Sequence, residues 1–134
     1  MSAAAEQLPF VDQAFDAALA QLVVHFMADP EAGLREMARV TRTDGVVAAC
    51  VWDHAGGSGP LSVFWDAAGE LDPEVVSESH LAGAREGDLT QLFQAAGLRE
   101  IEESLLSVSV EHPSKRLCRL GRGTILCARA CTPI

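Results

Sequence analysis

Residues 15–24 read FDAALAQLVV and residues 46–52 read VVAACVW, and between them lies one helical pattern. Both apolar runs lack the alternation of a half-exposed strand, which predicts parallel strands covered on both faces. Asp29-Pro30-Glu31 opens the segment between them. An aspartate suits the N-cap, a proline the first helical position, and a glutamate the positive end of the helix dipole. Leu34, Met37, Ala38 and Thr41 then recur at i, i+3, i+4 and i+7, the signature of one apolar face. Glu31 and Arg35 are placed to pair on the other side. Thr43-Asp44-Gly45 predicts a turn into the second strand. Strand, helix and strand with short connections make one right-handed βαβ unit.

Beyond Trp52 the punctuation changes. His54-Ala55-Gly56-Gly57-Ser58-Gly59-Pro60 has loop composition. Residues 61–71 have helical tendency, with Leu61, Phe64, Trp65 and Ala68 on one face, and residues 74–87 read as an irregular polar connection. Asp88 is a candidate cap for a helix with Leu89, Leu92, Phe93 and Ala96 as its apolar face, closed by Gly97. Residues 98–103 and 105–110 read as two strands with Ser104 between them.

The 134 residues suffice for one core and one domain. No apolar run approaches the ~20 residues that span a bilayer, and Met1-Ser2-Ala3-Ala4-Ala5-Glu6 lacks the basic-then-apolar order of a secretory signal. The expected location is cytoplasmic, with Cys50, Cys118, Cys127 and Cys131 as reduced thiols. Residues 1–111 hold all 19 acidic groups and five basic ones, a net of −14, whereas the five basic residues of 112–134 meet no acid. An acidic body argues against nucleic-acid binding, which requires a basic surface. His112, Cys118, Cys127 and Cys131 do not have the spacing of a zinc finger or ribbon, so no metal site is expected.

The stretch from Glu6 to Trp52 contains Glu6-Gln7-Leu8-Pro9-Phe10, Phe15-Asp16, Leu34-Arg35-Glu36, Arg39-Val40 and a turn into an apolar strand. In this combination it resembles the back half of the class I S-adenosylmethionine (SAM)-dependent methyltransferases, in the branch of the type 11 and ubiquinone/menaquinone methyltransferase domains. The resemblance covers residues 4–112. It implies an α/β, Rossmann-like methyltransferase fold, present in part, with mostly parallel strands and an antiparallel last strand. Residues 15–24 would be the family's fourth strand, 46–51 its fifth, and the two strands within 98–110 its sixth and seventh. The division is then 1–112, the back half of a methyltransferase domain, and 113–134, a basic, cysteine-containing tail to which no structure is assigned.

The resemblance further implies SAM as cofactor and a small-molecule acceptor. It implies cofactor contacts at Gln7, Leu8, Gln21 and Leu22, and an acceptor pocket at His25, Trp52 and His54, with His25 as candidate base. The family's glycine-rich turn after its first strand and the acid that holds the ribose are absent from this sequence, and its frequent Asp before the Glu-Gln-Leu-Pro-Phe segment is Ala4. The expectation is therefore a methyltransferase domain with weak SAM binding and little activity on its own. The alternative is a non-catalytic remnant serving as a dimerisation or binding module, with a homodimer formed through an exposed sheet edge.

Overall fold

The computed structural model describes residues 2–109 and 122–133. Its centre is a four-stranded mixed sheet in the order β1-β2-β4-β3. The strands are β1 (Phe15–Gln21), β2 (Thr41–Trp52), β3 (Arg99–Ser109) and β4 (Arg122–Cys131). β1 and β2 are parallel, and β4 is antiparallel to both β2 and β3. Three strands thus run one way and β4 runs against them. Among the described residues, no helix is long and apolar enough to cross a membrane.

The βαβ unit forms as its residues dictate. Helix α1 (Pro30–Val40) is capped by Asp29, whose carboxylate accepts from the Ala32 amide at 3.0 Å, and Pro30 stands at its first turn. Leu34, Met37 and Val40 are buried, and Arg35 pairs with Glu31 on the outer side. Thr41 turns its hydroxyl back onto the Met37 carbonyl at 2.7 Å. The Glu-x-x-Arg step of α1 also explains the preceding Leu8-Pro9-Phe10 segment. The Glu36 carboxylate accepts from the Leu8 amide, while Arg39 donates to the Leu8 and Phe10 carbonyls and to Glu36 and Asp12. These two distant motifs belong together because one is the hydrogen-bond template for the other.

Four expectations about the strands and about residues 61–71 need correction. First, the strand at 15–24 ends at Gln21. Leu22 adopts a left-handed φ of 57° and the chain turns into a short 3-10 helix at Val24–Phe26. The strand is not covered on both faces: Leu19 is 77% exposed. Second, Thr43-Asp44-Gly45 is not a turn before β2 but a bulge within it. Phe15 and Ala17 pair with Thr41 and Val46, so four residues of β2 oppose one of β1, with Asp44 at φ 57°. The end of β4 secures this bulge: the Thr132 amide donates to the Gly45 carbonyl and its hydroxyl to the Arg42 carbonyl. Third, residues 98–103 and 105–110 do not form two strands. They contribute the single strand β3, because Ser104 lies on an uncovered face where a hydroxyl costs nothing. The antiparallel partner is β4, drawn from the segment the sequence left unassigned. Fourth, helix α2 (Ser62–Leu71) buries none of its residues; Phe64 is exposed and Trp65 half-buried.

Helix α3 (Asp88–Ala95) buries Leu89 and Phe93. Asp88 is its first residue rather than its cap. Glu103 of β3 takes that role, accepting from the Gly87 and Thr90 amides at 2.7 and 3.1 Å. Gly97, at φ 83°, ends the helix as expected. Helices α1 and α3 share one face of the sheet, over Val47, Ala49, Val51, Leu126, Ala128 and Ala130. His112, Lys115, Arg116, Cys118 and Arg119 lie outside the described residues.

Candidate functional site

Parallel strands deliver side chains to their carboxyl ends, where the following loops diverge. Here β1 leads through Gln21 and Leu22 into the 3-10 turn that carries His25, and β2 leads through Trp52 to His54. The two imidazoles meet edge to face with ring centroids 5.6 Å apart. His25 also lies against Phe26, at 4.1 Å between centroids. It is buried, and its Nδ1 has no hydrogen-bond partner among the described residues. Burial and the neighbouring His54 push its pKa below the usual histidine value, against a weaker opposing pull from Glu78. The lowered pKa favours the neutral imidazole, in which one of the two ring nitrogens is able to accept a proton.

Glu78 completes the cluster. Its Oε2 lies 3.5 Å from His54 Nδ1 and accepts from the Trp65 indole nitrogen at 3.1 Å. The carboxylate thus lies within ion-pair distance of an imidazole whose side chain is largely covered. A cleft of about 230 Å³ opens here, lined by His54, Gly59, Trp65, Ser77 and Glu78 among others. Gly59 is required by proximity, since a Cβ there would stand 2.7 Å from His54 Nδ1. Asp53, although adjacent to His54, turns the other way and accepts from the Gly56 amide at 2.8 Å.

Of the residues singled out from sequence, the structure brings His25 and His54 together. Trp52 stands at the end of β2 with its ring close against Gly123. Gln21 lies exposed at the end of β1, and the Leu22 amide donates to the Cys50 carbonyl at 2.8 Å. Gln7 and Leu8 run along α1, with both backbone groups of Leu8 taken by Glu36 and Arg39. Glu78 and Trp65 were missed as a pair. They come from a polar connection and a helix without a buried face, so neither periodicity nor spacing marks them.

The family model described as "Methyltransferase domain" matches residues 1–49. A demethylmenaquinone methyltransferase of Mycolicibacterium vanbaalenii is 48% identical over 46 residues, which are 34% of this chain and 20% of that protein. Among solved structures, a SAM-dependent methyltransferase of Thermotoga maritima superposes with a TM-score of 0.64 at 23% identity, covering 96% of this chain and 60% of that one. The [4+2]-cyclase SpnF superposes over 100% of this chain and 56% of its own, with a TM-score of 0.59 at 19% identity. The chain therefore spans a fifth of the curated relative and some three-fifths of these structures. It resembles the class I SAM-dependent methyltransferase superfamily in sequence over its first third and in fold over nearly its whole length.

Proposed function

We propose that this chain, with its class I methyltransferase fold, supplies the acceptor-facing part of a SAM-dependent methyl-transfer site, acting on a small molecule. The observation that supports it is the meeting of His25 and His54 at the carboxyl ends of the two parallel strands. His25 accepts the proton that an oxygen, nitrogen or carbon nucleophile sheds as it becomes methylated. His54 stands beside it, oriented by Glu78, and the Trp52 and Trp65 rings offer apolar surface to the acceptor. SAM, when bound, supplies an already activated methyl group, so positioning and proton acceptance are what the protein must add.

Binding of SAM by this chain is weak in this reading. Gln21 and Leu22 sit at the right end of the sheet, but each unreplaced polar contact to the ligand costs about 1–3 kcal/mol. Calorimetric titration of the purified chain with SAM and with its demethylated product tests both halves of the reading. Weak but saturable heats are expected. Saturation at low micromolar concentration would overturn the weak binding, and no heat at any concentration would overturn the methyltransferase reading itself.

A second reading is a homodimerisation module. It draws support from β1, which pairs only with β2 among the described residues and leaves its outer edge open. Exposed edges attract further strands. Sedimentation equilibrium decides: a concentration-independent monomer removes this reading.

A further inference from the structure

Cys50 of β2 and Cys127 of β4 are register partners. The backbone bonds at the two ends of this ladder reveal the type of pair they make. At one end the Thr132 amide donates to the Gly45 carbonyl, and at the other the Asp53 amide donates to the Thr124 carbonyl. Both are odd-numbered positions of β2, and hydrogen-bonded and non-hydrogen-bonded pairs alternate along an antiparallel ladder. The even-numbered positions, Cys50 among them, are therefore the non-hydrogen-bonded pairs. In such pairs the Cα atoms approach to about 4.5 Å and the side chains lie closer together. That separation falls within the range a disulfide spans.

The two thiols also share a face. Ala49, Val51, Leu126 and Ala128 on either side of them are buried beneath the helices. Cys50 and Cys127 point to the opposite face, which has no helix over it among the described residues, and both are half-buried there. Burial, and secondarily the adjacent Cys50 thiol, push the Cys127 thiol above its ordinary pKa.

We propose that Cys50 and Cys127 form a dithiol that closes to a cross-strand disulfide by exchange with a low-molecular-weight disulfide such as oxidised glutathione. The Cys50 thiolate attacks one glutathione sulfur; the S–S bond breaks and the first reduced glutathione leaves, taking up a proton. The Cys127 thiolate then attacks the Cys50 sulfur of the mixed disulfide, expelling the second glutathione, which is protonated in turn. The protein gives up two electrons and two protons, and oxidised glutathione becomes two reduced molecules. Burial and the adjacent Cys50 disfavour the Cys127 thiolate, so Cys127 takes the second, intramolecular step. The product ties the middle of β2 to β4 and closes a loop that contains α2, α3 and β3. In a reducing compartment the bond reopens, so the pair is a reversible modification site rather than a permanent staple.

The test uses the full chain, reduced and then treated with excess oxidised glutathione. Intact mass should fall by two hydrogens, and peptide mapping should show Cys50 linked to Cys127. In a C118S/C131S variant, both remaining thiols should become unreactive to a thiol reagent, and the urea midpoint should move upward until dithiothreitol reverses it. Adding C127S should arrest the reaction at a glutathione adduct on Cys50. Glutathione adducts persisting on both cysteines of the C118S/C131S variant, a link from Cys50 to Cys131, or chains joined to one another would each overturn the proposal. If that variant does not fold, the peptide map of the unaltered chain decides.

Discussion

β2 presents Val47, Ala49 and Val51 to one side and Val46, Ala48, Cys50 and Trp52 to the other. The first side is sealed: Val47 and Val51, like Leu34, Leu89 and Phe93 above them, have no exposed surface. The second side has no helix over it among the described residues, and its row across the sheet runs Leu19, Ala48, Arg129, Glu102. Arg129 and Glu102 pair there in the open, at 2.8 Å through the guanidinium Nε. One strand is thus apolar on both sides and buried on one. Hydrophobic pattern records what a face is able to bury, and only the neighbouring elements determine whether it does.

That contrast gives a ranked set of expectations. Phe93→Ala, on the sealed side, should cost about 3–5 kcal/mol of unfolding free energy. Urea denaturation measures it, and a loss under 1 kcal/mol would mean the helix-covered face is not the core. Gly45→Ala should come next, at about 1–3 kcal/mol. Its Cβ would lie 2.7 Å from the Arg42 carbonyl oxygen and 2.8 Å from that of Asp16, and backbone cannot swing aside as a side chain can.

The third expectation concerns the rim of the sealed side. Hydrogen bonds from Arg39 and from the Leu8 amide hold the Glu36 carboxyl down at about 2. A depressed carboxylate stabilises the fold above its unfolded value of about 4.5, and that contribution is lost as pH falls through about 2. Glu36→Gln should flatten this acid limb and cost on the order of 1 kcal/mol at pH 7, the pair being partly solvated. Acid titration of the melting temperature shows it; an unchanged limb would mean that Glu36 and Arg39 do not hold the Leu8–Phe10 segment. The smallest change belongs to the open side. Leu19→Ser should shift stability by no more than about 0.5 kcal/mol while improving solubility. A loss matching that of Phe93→Ala would show that something covers this face in solution.

Much of this was legible because some residues act locally. Asp29 and Pro30 start α1 by their own chemistry, and the i, i+3, i+4 spacing of Leu34, Met37 and Ala38 needs no partner to be read. Gly97 ends α3 for a similar reason. β4 was illegible on the same grounds. Its buried apolar side chains are Leu126 and the small Ala128 and Ala130, set among cysteines, so inner and outer faces differ little in character. It becomes a strand through pairing on both sides, which is a property of β2 and β3 as much as of residues 122–131. The site divides likewise. His25 and His54 follow strands that could be located, so their convergence was open to inference. Glu78 arrives from a polar connection 24 residues beyond His54, and only the folded chain brings it there.

The position of β4 between β2 and β3 also orders events in time. A polypeptide leaves the ribosome from its N-terminus, so β1, α1 and β2 are complete while the strand that fills the gap is still being made. Val46 pairs with Cys131, 85 residues further on, and Trp52 with Ile125, 73 further on. Closing loops of that span is slow compared with forming a helix or a local βαβ contact. Until residues 122–131 emerge, the β2 edge that pairs with β4 stands open and β3 lacks its partner. Unpaired strand edges favour misassembly, and the pairing of residues 122–131 closes the edge of β2.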